Sequence, residues 1–233
     1  MFYALLDGKR DIDIDKNIYL LERPNIPPPE EAYRVTTIDG RGDVYEPLGY
    51  YKDIEIPLKY NFYSENYNDT YRKIKKFFKC GKKLKFSDDG IGFYKLKRNP
   101  LITDNLREMI EFGMFTVLIT CEPFFYFDYG ENEIELKKNE NIFFNDYEEA
   151  IPMFRITGNG LFTLNMNGNI FNVNVGQEVF IDVSKGRCYR KDGVISDSSV
   201  KGKYKDLKLL EGENIISFNE GFKVEMTPNW RCL

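Results

Sequence analysis

The 233-residue chain is 42% hydrophobic, 15% aromatic and 30% charged, with a formal net charge of −4. That size and composition fit one or two globular domains with a real core, not a disordered chain, and no window holds the roughly 20 apolar residues of a membrane-spanning helix. The absence of histidine excludes Ser-His and Cys-His catalysis, histidine-ligated zinc and a histidine-based pH switch.

In chain order, the start lacks a basic n-region and a long apolar h-region, so no export signal is expected, and the sequon at Asn68 is expected to carry nothing. Turn chemistry comes first at Asp7-Gly8. Carboxylates at Asp11, Asp13, Asp15 and Glu22 superficially match a calcium loop, but Lys16 replaces the sharp-turn glycine and Pro24 interrupts the exit helix. Polar–apolar alternation in an early strand accounts for the same residues. Pro27-Pro28-Pro29 marks an extended loop, and Asp39-Gly40 a hairpin turn. Residues 53–60 alternate polar and apolar, the mark of a half-buried strand.

The period then changes. Tyr67, Tyr71, Ile74 and Phe78 fall four, three and four apart, a helical stripe over 66–79 with Arg72, Lys73, Lys75, Lys76 and Lys79 on its wet faces and Gly81 as the stop. The basic end suits the helix dipole. Asp89-Gly90 reads as a turn, and a short helix capped by Asp104 is expected over 104–111. Strands follow at 115–121, 153–157, 161–166, 171–175, 179–183 and 214–218, punctuated by Asn159-Gly160, Asn167-Gly168 and Asp192-Gly193. A domain boundary is expected between 127 and 151, where charge and turn residues cluster. Before it strands mix with the helix; after it lies a β-sandwich of hairpins.

Candidate chemistry is sparse. Cys80, Cys121, Cys188 and Cys232 lack the paired spacing of structural zinc and read as thiols of a reducing compartment, although spacing alone leaves a four-cysteine site open. Gly158-Asn159-Gly160 is a turn, not a dinucleotide loop, and no GxxxxGK[ST] sequence is present. Asp128 and Glu131 could pair as general acid and base, but with 37 acidic residues such pairs are mostly surface charge. The run 124–127 suits a sheet core or an exposed patch, and Trp230 an anchor for the last strand. No enzyme, cofactor or metal is expected. The basic run 73–85 coincides in part with one helix, so non-specific nucleic-acid binding is not expected either.

The order of features resembles one family over essentially the whole chain. A short strand pair precedes 37–43, with Gly40, Arg41, Gly42 and Asp43. An alternating strand and a basic helix follow, then Thr120-Cys121-Glu122-Pro123-Phe124, then 151–160 opening on Ile151-Pro152, then 210–216 and Pro228-Asn229-Trp230-Arg231. This series is similar to the distal tail proteins of long noncontractile-tailed bacteriophages. The resemblance implies a mainly β fold: an α+β N-terminal ring-forming domain over 1–135, a β-sandwich with one basic helix and a hairpin, then a galectin-like β-sandwich over 136–233. It implies a hexameric homo-oligomer at the virion tail tip, assembled in the bacterial host cytoplasm. Its partners would be the tail tube protein, the tail-tip or tail-associated lysin protein and a receptor-binding protein, with DNA only in transit and no membrane insertion. Six copies of a −4 chain would carry −24, an acidic lumen that lets DNA slide.

Arg41, Gly42 and Asp43 match a family-like stretch and are candidate subunit-interface residues; an ordinary hairpin turn accounts for them equally well. The second class of function is a carbohydrate-binding β-sandwich that attaches to a cell-wall polymer, for which a single tryptophan and no histidine leave little sugar-recognition chemistry.

Overall fold

A computed structural model describes residues 2–107, 111–138, 140–197 and 200–233. They are mainly β and divide into two compact units, one ending at Phe125 and including Leu233, the other Tyr126–Cys232. The first holds strands β1 (Ala4–Leu6), β2 (Lys9–Arg10), β3 (Ile18–Leu20), β4 (Glu31–Ile38), β5 (Gly42–Tyr51) and β6 (Ile54–Tyr63). Helix α1 (Tyr67–Phe77), β7 (Lys83–Phe86), β8 (Asp89–Leu96), β9 (Leu101–Arg107) and most of β10 (Phe112–Phe127) complete it. The sheet runs β2-β1-β7-β8-β10-β6-β3, with β9 also against β10, and β4 and β5 form a separate two-stranded sheet.

The core of this unit follows from period-2 alternation. Ile54, Ile56, Leu58, Tyr60 and Phe62 of β6 all point inward and are buried. Antiparallel pairing sets Cys121, Ile119, Val117 and Phe115 of β10 directly opposite the first four, so both strands send side chains to the same face. The Tyr60 and Phe115 rings stack 5.0 Å apart. Helix α1 covers that face with Tyr67, Ile74 and the C-cap Phe78, and Asn66 caps it by accepting from the Asp69 N–H at 3.3 Å. Thr70, which the stripe did not include, is buried too and donates to Ser64 Oγ at 2.9 Å.

Three local expectations fail for physical reasons. The helix over 104–111 does not form: β9 lies antiparallel to β10, Thr103 opposite Thr116 and Ile102 opposite Val117, while 108–110 lie outside the described residues. An open edge of β10 offers backbone partners, and satisfying them outweighs a local capping preference. Residues Asp11–Asp13 form a 3-10 turn, not part of a strand. The Asp89-Gly90 turn is strand; the reversal sits two residues earlier at Ser87 and Asp88, since Phe86 pairs with Asp89.

The second unit contains β11 (Ile134–Glu135), β12 (Glu140–Asn145), β13 (Met153–Thr157), β14 (Gly160–Met166), β15 (Asn169–Val175), β16 (Glu178–Asp182), β17 (Arg187–Arg190), β18 (Gly212–Phe218), β19 (Lys223–Thr227) and β20 (Arg231–Cys232). Two antiparallel sheets, β11-β19-β13-β16-β17 and β12-β18-β14-β15, bury Phe154, Ile156, Ile181 and Val224 of one and Phe162, Leu164, Phe171 and Ile216 of the other. This is a sandwich. Asn167 and Gly168 both take positive φ, 52° and 84°, as the two-residue turn between β14 and β15 requires. The compact units divide at 125/126, where the sequence placed the boundary at 135/136: β11 pairs with β19, and the Asn229 N–H donates to the Gly130 carbonyl at 2.8 Å. Trp230 is buried there: its carbonyl accepts from the Phe127 N–H at 3.0 Å.

Asp11 is buried, accepts from the Tyr60 hydroxyl at 2.8 Å and the Ala4 N–H at 3.1 Å, and leaves Oδ1 unpartnered among the described residues. Burial raises its carboxyl above the ordinary 3.8, against the lowering effect of those donors. The folded chain therefore holds a proton that the unfolded chain releases. The stabilisation is complete below pH 3.8 and is lost as pH rises through the folded value. Urea titrations from pH 3 upward should show wild type losing stability relative to Asp11→Asn, which keeps an acceptor but cannot ionise. In the second unit, a Cβ at Gly130 would stand 2.5 Å from the Trp230 backbone nitrogen. Gly130→Ala should cost about 1–3 kcal/mol, read by the fluorescence of Trp230, the sole tryptophan.

Candidate functional site

The candidate chemical residues are dispersed. In the calcium-like stretch, Asp11 faces Tyr60 and Asp13 binds Arg10 at 2.8 Å, while Glu22 binds Lys59 at 3.0 Å. Asp128 and Glu131 share one 3-10 turn instead of facing each other across a cleft. Burial pushes the Cys121 and Cys188 thiols up to about 12 and about 11, away from the thiolate a nucleophile needs. Among the described residues no three His, Cys, Asp or Glu gather as a metal site, and no helix is long and apolar enough to cross a membrane. In the run 124–127, Phe124 packs on Tyr51 and Phe125 on Tyr94.

A hollow of about 500 Å³ beside Gly176 and Asp192 contains Glu178. That carboxylate accepts from Arg155 Nε at 2.6 Å and is held below its usual range by this bond. It joins Arg155 and Glu225, whose carboxylate lies 3.1 Å from Arg155, in a row across three strands, a structural arrangement.

The surface that stands apart is the β4–β5 hairpin. Its register, Tyr33 opposite Pro47, Val35 opposite Tyr45 and Thr37 opposite Asp43, puts these residues on one face, with Arg34, Glu46, Thr36 and Val44 on the other. Among the described residues neither face is covered: Tyr33, Val35 and Tyr45 are 45%, 51% and 61% exposed, and the two strands pair only with each other. The Tyr33 and Tyr45 rings meet edge to face at 6.1 Å, and the Tyr33 hydroxyl donates to Glu31 at 2.6 Å, which raises its pKa. The ribbon is rooted by buried Ala32 and by the Lys52 N–H donating to the Glu30 carbonyl at 2.8 Å.

Arg41, Gly42 and Asp43 all lie at the tip of this ribbon, exposed. Gly40 and Gly42 hold φ of 77° and 82°, the left-handed region that glycine enters without strain. The Arg41 N–H donates to the Ile38 carbonyl at 3.0 Å, and Thr37 Oγ1 donates to Asp43 at 2.7 Å. Sequence reading located the turn but passed over Tyr33, Val35 and Tyr45. Their alternation on both sides of Asp39-Gly40 was visible; that nothing covers them was not.

A second concave surface lies in the same unit. A groove of about 580 Å³ has Leu6, Ile14 and Phe77 among its lining and Lys9, Lys73 and Lys76 around it. The basic face of α1 thus forms one wall. The groove's acids are already engaged: Asp13 by Arg10, and Asp7 by the Lys82 and Lys83 N–H groups at 3.0 and 2.9 Å.

No protein-family model matches the chain, and no curated protein matches it. Among solved structures it is similar to the Dit protein (gp 19.1) of phage SPP1, described as a paradigm of the hub adsorption apparatus in phages that infect Gram-positive bacteria. The match covers 100% of both chains with a TM-score of 0.69 at 14% identity. The chain therefore has the Dit fold from end to end.

A valine at position 40 would have to enter left-handed backbone, at about 1–2 kcal/mol, with open space around it. Gly40→Val should speed amide exchange at Thr36 and Val44 while leaving the melting temperature of both cores unchanged.

Proposed function

We propose that this chain is the structural hub of a phage tail: copies close into a ring of six at the distal end of the tail tube and join it to the tip and its adsorption proteins. The observation that carries this reading is the end-to-end fold match to a tail hub protein. The bare hairpin supports it independently. A ribbon with apolar side chains on exposed faces and no covering layer is costly in a monomer and useful in a chain that is covered by identical neighbours. Under this reading the unit ending at Phe125 builds the ring, the sandwich 126–232 is its galectin-like outward domain, and Arg41, Gly42 and Asp43 meet a neighbouring subunit. The chain works without catalysis, and DNA passes through the central channel, whose acidic lining weakly repels phosphates.

The test is imaging and mass of the full chain, together with antibody labelling of particles that carry it. Sixfold rings and label at the far end of the tube are expected; label on the capsid or a globular monomer on intact tails would overturn the reading. Val35→Ser with Tyr45→Ser should change unfolding stability by no more than about 0.5 kcal/mol each, as for exposed positions, yet lower the assembled mass in light scattering. Trypsin should cut the dispersed chain after Arg41 and spare the ring.

A further inference from the structure

The geometry points to a specific dock for the hairpin: the tip of one copy enters the groove beside α1 of the next. This rests on the hub reading and supplies the contact between identical copies that it requires. Charge selects the occupant. Residues 31–51 carry four acids (Glu31, Asp39, Asp43, Glu46) and two cations (Arg34, Arg41), a net of −2. Residues 72–85 carry eight cations and no acid, and they supply the α1 wall of the groove through Lys73 and Lys76. Within the groove Arg10 pairs with Asp13 and Lys73 with Asp69 at 3.2 Å, so Lys9 and Lys76 stand against Asp7 alone and the rim presents net positive charge.

Shape and polarity agree with charge. The groove has Leu6, Ile14 and Phe77 beneath its lysines, and its volume lies in the range of binding clefts. The tip offers Ile38 and Val44, both exposed, on either side of the Asp39–Asp43 turn. A ribbon of eight-residue β4 reaches about 26 Å from its root at the usual strand rise. The two surfaces are different patches of one chain, so the contact is heterologous and repeats around a ring instead of stopping at a pair. Steering by opposite charge makes it salt-sensitive.

Cys80 lines the groove and is exposed, which gives a direct readout. In millimolar Arg41→Cys protein, mild oxidation should link Cys80 to position 41 between chains, shown by mass spectrometry of mixed isotope-labelled chains and by a ladder on non-reducing gels. Cys80→Ser should abolish the ladder. Lys9→Glu with Lys76→Glu should weaken association at least tenfold in sedimentation, and Asp39→Lys with Asp43→Lys on the same chain should restore it. Circular dichroism of each variant checks that the fold is kept. A multimer without the interchain 41–80 link overturns the dock and leaves the hub reading intact. A link closed within one chain, or no association at millimolar protein, also overturns the dock, and the hub reading then stands or falls by particle labelling alone.

Discussion

The first unit depends on one register, the pairing of β6 with β10 along the full length of β6. Because side chains alternate across a strand, this pairing puts Tyr60 against Phe115 and Leu58 against Val117 on a single face, and a slip of one residue would turn all of them outward. Helix α1 packs on that face through Tyr67 and Ile74. The consequence is that its lysines are held at the surface as one wall of a groove. The charged surface is thus fixed by the apolar one beneath it.

The hairpin obeys the same alternation with the opposite outcome. β4 and β5 carry tyrosine and valine at period 2, as β6 carries isoleucine and phenylalanine, but among the described residues no layer packs on Tyr33, Val35 and Tyr45. A two-stranded ribbon has marginal stability by itself, so its shape is held by local devices: left-handed glycines at the tip, the Thr37–Asp43 bond and the backbone bond at its root. None of these hides the apolar side chains. In a chain poor in reactive groups, uncovered apolar surface is the feature with the greatest capacity to do work, and the work it suits is association.

The buried polar groups serve shape, not chemistry. Asn214, fully buried, accepts from the Leu210 N–H at 2.7 Å and donates back to the Leu210 carbonyl at 2.7 Å, closing a loop that would otherwise leave backbone groups unpaired. Arg231 is buried and donates to the Glu149 carbonyl at 2.7 Å. Such bonds specify the ends of strands, and burial keeps the Cys121 and Cys188 thiols protonated.

Much of this was written in the sequence. Period-2 runs with Asn-Gly and Asp-Gly turns determined the strands at 54–60, 115–121 and 153–183, and the four-three-four spacing of Tyr67, Tyr71, Ile74 and Phe78 determined α1, because those patterns decide locally which face is apolar. The absence of histidine determined which chemistries were closed. Tertiary structure alone decided three matters. It turned 101–107 into a strand, since the open edge of β10 had backbone groups to satisfy. It placed the unit boundary at 125/126, since β11 found its partner in β19, far along the chain. And it left Tyr33, Val35 and Tyr45 bare, because whether an alternating strand is covered depends on what lies above it, and no residue within the strand encodes that.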